Sequence, residues 1–247
     1  MPYESLKILL EDNHLLAVAK PAGPPTQGAE AGVMSVLDMA KAYIARKHDK
    51  PGKVYLGVVS RLDAPVTGLL IFARTSKAAG RLSESFRLRQ VEKVYLATVK
   101  GTPPPCPGSP PAHGSLVHHM VKDERTRRMV ATHADTPGAQ RAELSYEVLL
   151  SQGGRSLLAV RLMTGRKHQI RVQLAKIGCP ILGDSKYGLG DSKYGATQPY
   201  EPGIALHSWR LGIEHPVRRE PLELECPPAA RWGNWSAEEL KAALAGC

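Results

Sequence analysis

The chain has 247 residues, enough to bury a substantial core as one large domain or two small ones. Its 33 Lys and Arg against 23 Asp and Glu leave a formal charge of +10, which favours a polyanionic partner without naming it. No apolar run approaches the roughly eighteen residues of a membrane span, and the first seven residues lack the pattern of a secretory leader, so a cytoplasmic protein is expected.

Residues 6–20 read as two short strands meeting at a turn near Asp12-Asn13, and Lys20-Pro21-Ala22-Gly23-Pro24-Pro25 stops the second. A helix follows, with Val33, Val36, Leu37, Ala40, Tyr43 and Ile44 along one face. Residues 55–60 and 68–74 read as strands flanking a turn that holds Asp63, and residues 76–89 have helical spacing through Ala79, Leu82 and Phe86. Residues 91–100 form a further strand. Residues 101–114 begin with a proline-rich run that cannot join regular structure. This loop reads as an insertion into a hairpin, because strand-like runs resume at Ser115 and again at Ala139.

Residues 141–150 and 155–163 look like paired strands around Gln152-Gly153-Gly154, and residues 167–178 like a helix burying Ile170, Leu174 and Ile177, with Lys167, Arg171 and Ala175 on the adjoining stripe. The hexamer Gly-Asp-Ser-Lys-Tyr-Gly then occurs twice, separated only by Leu189, as in a short loop duplication. Neither copy is assigned to catalysis. Residues 204–215 make a further strand, Ser236-Ala237-Glu238-Glu239 is a capping box opening a closing helix, and Trp232 and Trp235 are expected to pack that end down. The cysteines, Cys106, Cys179, Cys226 and Cys247, contain no C-x-x-C pair and read as reduced thiols. His118, His119 and His133 lack the converging partners of a zinc site, so no metal is expected.

Two segments carry chemistry. Ser60-Arg61-Leu62-Asp63-Ala64-Pro65-Val66-Thr67-Gly68 places a carboxylate between two strands, where it is either a rigidly held catalyst or a turn cap. Thr164-Gly165-Arg166-Lys167-His168-Gln169-Ile170-Arg171-Val172-Gln173-Leu174-Ala175 opens the helix that precedes Gly183-Asp184. Together with Glu92-Lys93-Val94-Tyr95-Leu96-Ala97 and the opening Leu10-Glu11-Asp12-Asn13-His14 to Lys20-Pro21-Ala22-Gly23 block, they resemble, in order, the RluA family of RNA pseudouridine synthases. The resemblance spans residues 7–215, and the joint presence of the Arg-Leu-Asp and Gly-Arg-x-His-Gln-Ile-Arg blocks makes it specific.

The resemblance implies a single α+β domain over residues 1–247, the pseudouridine synthase catalytic fold, with a mixed, largely antiparallel central sheet flanked by helices. Because the pattern begins by residue 7, no S4 domain is expected. It puts the catalytic aspartate on Asp63, its pairing arginine on Arg171 and the tyrosine that stacks on the target uracil on Tyr95. Leu206 is read as another wall of the pocket, and Arg61, Arg166 and Lys167 as substrate contacts. His168 is expected to make a structural hydrogen bond at the helix start. The reaction breaks the C1′–N1 bond and rejoins the base through C5 without redox change, so no cofactor is needed. Structured RNA, ribosomal or transfer, is the expected partner, with the target base turned out of its stack. No obligatory protein partner is implied, and the chain is expected to be a monomer.

With that family in view, Lys122, Arg125, Arg127 and Arg128 read as RNA phosphate contacts. Ser60, Ala64 and Pro65 depart from the family pattern, which predicts altered support for the Asp63 loop. Two rivals remain: a non-catalytic RNA-binding protein on the same scaffold, and a glycosidase, for which the paired carboxylate is missing from the motifs.

Overall fold

A computed structural model describes residues 6–30, 32–49, 51–104, 112–188, 200 and 203–245. The second Gly-Asp-Ser-Lys-Tyr-Gly copy, the centre of the proline-rich run, Cys106 and Cys247 lie outside the described residues. In chain order the elements are β1 (Lys7–Glu11), β2 (Leu15–Lys20), α1 (Val36–Lys47), β3 (Gly57–Val58), β4 (Thr67–Ala73), α2 (Ser76–Arg87), β5 (Glu92–Lys100) and β6 (His113–Asp123). There follow β7 (Arg128–Thr132), β8 (Gln140–Gln152), β9 (Arg155–Leu162), α3 (Gln169–Lys176), β10 (Leu206–Glu214), β11 (Pro221–Glu225) and α4 (Ala237–Leu244). The class is α+β, with mixed, mostly antiparallel strands, as expected.

The chain divides into two compact units, residues 1–93 with 207–227, and residues 94–206 with 228–247. In the first, β1 pairs with β2 and β2 with β4, both antiparallel. β10 runs parallel to β4, with Ser208 opposite Gly68, and β11 closes antiparallel on β10. Leu15, Ala17, Leu69, Ile71, Leu211 and Ile213 form a core under Ala78 and Leu82 of α2. Gly68 is required where it stands: its φ is +108°, and a Cβ there would lie 2.2 Å from the Ser208 carbonyl oxygen.

Several boundaries moved. α1 starts at Val36 rather than including Val33, because the Ser35 hydroxyl accepts from Asp38 N–H and the Asp38 carboxylate answers at Ser35 N–H. Val33 is left outside the helix and 54% exposed. The strand expected over residues 55–60 shrinks to Gly57–Val58, which pairs only with the last two residues of β4. β11 was not foreseen; it opens on a proline, which has no N–H to give a ladder.

In the second unit, β9 pairs antiparallel with β5 and with β8, β8 with β6, and β6 with β7. Val172 of α3 packs with Met120 and Ala142 of that sheet. α3 is more buried than one amphipathic face predicts, with Gln169, Arg171 and Gln173 enclosed as well as Ile170 and Leu174. Their amide nitrogens are taken up by sheet carbonyls, Gln173 Nε2 donating to Leu116 and Ala142 and Gln169 Nε2 to Glu143, while Gln173 Oε1 has no hydrogen-bond partner among the described residues. Ser236 and Glu239 cap α4 reciprocally, and Trp232 and Trp235 are buried beside it. No helix among the described residues is long and apolar enough to cross a membrane.

Candidate active-site residues in the two units

In the first unit Asp63 stands in the loop between β3 and β4, half-buried, with Arg61 exposed beside it. The backbone on either side is tied down. The Thr26 hydroxyl donates to the Leu62 carbonyl at 2.9 Å and accepts the Leu62 N–H at 3.0 Å. Gly23 N–H donates to the Ala64 carbonyl at 2.9 Å, and Val66 N–H closes a turn on the Asp63 carbonyl at 3.0 Å. The Lys20 ammonium donates to the carbonyls of Pro21, Ala64 and Val66 at 2.8, 2.9 and 2.8 Å. All three of its protons are thereby used.

Lys20 is 2% exposed. Burial lowers its pKa to about 8, and the negative charge of Asp63 acts in the opposite direction. At neutral pH it is therefore a buried cation, whose charged form the negative charge of Asp63 favours. The loop is fixed by backbone atoms, to which Ala64 contributes only its carbonyl, so these ties do not use the side chains of Ser60, Ala64 or Pro65. At the base of the loop His207 Nε2 donates to the Cys226 carbonyl and Nδ1 accepts from the Thr67 hydroxyl, both at 2.8 Å. Burial pushes the His207 pKa down to about 4, which keeps the ring neutral.

In the second unit Tyr95 lies on β5, half-buried, opposite Val160 of β9. Leu206 is 4% exposed at the start of β10. The Gly-Arg-Lys-His-Gln-Ile-Arg segment turns sharply into α3: His168 has φ +56° and precedes the helix without a side-chain cap. Its ring meets the Tyr187 hydroxyl at 2.6 Å instead. Gln169 Oε1 accepts from the Thr164 hydroxyl and from Arg166 N–H, closing the turn on itself. Arg166 Nε donates to the Arg141 carbonyl, while Lys167 is exposed.

Arg171 is held bidentately by Asp184, Nε to Oδ2 at 2.7 Å and Nη2 to Oδ1 at 2.9 Å, in a pair whose side chains are 6% and 1% exposed. Asp184 Oδ1 also accepts the N–H groups of Lys186 and Tyr187, both at 3.0 Å. The first hexamer copy thus supplies the carboxylate that orients Arg171, a role the sequence did not reveal. Lys20 was also missed; its signal was a lysine closing an apolar strand just before Pro-Ala-Gly.

The model of the RNA pseudouridylate synthase family matches residues 14–176. The chain belongs to that family. Its members are isomerases that convert uridine in RNA to pseudouridine, and among curated relatives it is 34% identical over 236 residues to the uncharacterized RNA pseudouridine synthase YhcT of Bacillus subtilis (strain 168), covering 94% of this chain and 72% of that one. It is 32% identical over 225 residues to ribosomal large subunit pseudouridine synthase D of Zymomonas mobilis, covering 89% and 68%. Among solved structures, human RNA pseudouridylate synthase domain containing 4 superposes with a TM-score of 0.75 at 26% identity, covering 99% of this chain and 95% of that one.

Proposed function

We propose that the chain isomerises specific uridines in structured ribosomal or transfer RNA, with Asp63 as the nucleophile or base. The observation that carries this reading is the Asp63 loop, pinned on both sides of the carboxylate by Thr26, Gly23 and Lys20, with a buried ammonium acting on it. A turn cap needs none of this; a carboxylate that must meet a reacting atom in one geometry does. In this reading Arg171 compensates negative charge, Tyr95 stacks on the uracil, and Leu206 forms an apolar wall. Arg61, Arg166 and Lys167 contact the RNA, whose target nucleotide is flipped out of its stack. The protein works as a cytoplasmic monomer without an obligatory protein partner or cofactor.

The test is nucleoside analysis of total RNA incubated with the purified protein. Pseudouridine gained at the expense of uridine, with no free uracil, is the expected result. Free uracil would assign glycosidase chemistry instead, and unchanged nucleosides with RNA bound would assign a binding protein.

A further inference from the structure

The turn between β6 and β7 holds Glu124, Arg125, Thr126 and Arg127, with Arg128 opening β7. Asp123 is consumed in shaping that turn: its carboxylate accepts the N–H groups of Arg125 and Thr126 and the Thr126 hydroxyl. Lys122 is paired with Glu124 at 2.6 Å. Arg125, Arg127 and Arg128 are exposed and carry no ion pair among the described residues. Arg127 sits at φ +53°, so the turn presents three guanidinium groups from a fixed backbone at the end of a hairpin.

The same hairpin is joined to Arg171 through one side chain, two residues past the turn. The Tyr187 hydroxyl accepts Met129 N–H of β7 at 3.2 Å, leaving its proton for His168 Nδ1 at 2.6 Å. Its backbone N–H donates to Asp184, and its ring lies 5.0 Å from the Arg171 guanidinium. The ring also packs against Met120, Ala142 and Val172, where hairpin and helix meet.

We propose that the β6–β7 hairpin is a docking arm for RNA phosphates and that Tyr187 is a positioning residue, locking the arm to the Arg171–Asp184 pair so that backbone engagement fixes the arginine. Three exposed arginines at a hairpin turn match a polyphosphate backbone by charge and spacing freedom, without reading bases. The inference rests on the synthase reading for the consequence at Arg171, while the docking half stands on binding alone.

The experiment uses the full chain with total tRNA and fragmented ribosomal RNA. Binding is followed by filter retention over a KCl series, and turnover by C5 tritium release from the same RNAs. Arg125→Ser/Arg127→Ser/Arg128→Ser should bind more weakly and lower the magnitude of the log K against log salt slope by about 2–3, one contact each. A slope equal to the parent's overturns the arm. Tyr187→Phe keeps the packed ring, so it should retain parental affinity and salt slope while kcat at saturating RNA falls on the order of tenfold. His168→Asn, a residue that tolerates the left-handed backbone, should lower kcat in the same sense and serves if Tyr187→Phe does not fold. Parental kcat in these variants, or a loss confined to affinity, overturns the tie. Parent protein that binds RNA but releases no tritium would instead overturn the synthase reading.

Discussion

Asp184→Asn isolates the charge of Arg171's partner. The asparagine can keep Oδ1 and with it the N–H groups of Lys186 and Tyr187 and one bond to Arg171. Its amide NH2 then faces Arg171 Nε–H where the carboxylate accepted at 2.7 Å. The guanidinium, 6% exposed, is left as a buried charge without the Asp184 carboxylate. Breaking a buried pair from one side costs about 3–5 kcal/mol. At roughly 2–4 °C per kcal/mol for a chain of this size, the thermal midpoint should fall by about 6–20 °C. The assay is thermal unfolding followed by circular dichroism, with Arg171→Met/Asp184→Leu as the companion, which removes both charges of the pair and should regain part of the loss, the N–H groups of Lys186 and Tyr187 still lacking their acceptor. A drop below about 2 °C in Asp184→Asn would refute the reasoning, since it would mean that water or another group already compensates Arg171.

Lys20 makes stability depend on alkaline pH. Its folded pKa is about 8 against an ordinary 10.5, so between these values the unfolded chain holds the proton that the folded chain has lost. Stability therefore rises with pH across that window, by about 3 kcal/mol, and the full burial penalty is present below it. Lys20→Met should flatten the dependence in urea titrations from pH 8 to 10.5; an unchanged slope would reject the assignment. Gly68→Ala adds backbone strain at φ +108° to a 2.2 Å clash with Ser208, and should cost about 2–6 kcal/mol in urea unfolding. Gly23→Ala, at φ +103° with nothing within 4 Å, should cost visibly less. Tyr95→Phe should retain most turnover and Tyr95→Ala lose about 1–3 kcal/mol of stacking, roughly 5- to 150-fold in kcat/KM. Equal losses in both would point to the hydroxyl rather than the ring.

The legible parts were those written locally. The β1–β2 hairpin, the β8–β9 pair, the Ser236 capping box and the family blocks each lie within a few residues of the signal that reveals them. Lys20 and Ala64 are 44 residues apart, and no periodicity announces that a strand-ending lysine will cage the carbonyls of a distant loop. Arg171 and Asp184 are 13 apart across a turn. Helical spacing put Arg171 on a stripe beside the buried face, yet its enclosure follows from Asp184, whose carboxylate makes burial of the guanidinium tolerable. Val33 misled because an apolar residue before the cap keeps the helical spacing without being in the helix.

The most direct test of the account is C5 tritium release from uridine-tritiated total RNA by the parent protein, by Asp63→Ala and by Asp63→Asn, with RNA binding measured on the same samples. Release by the parent alone is expected, with RNA still bound by both variants. Release by either variant at a rate near the parent's would contradict it, because the chemistry would then not pass through the Asp63 carboxylate.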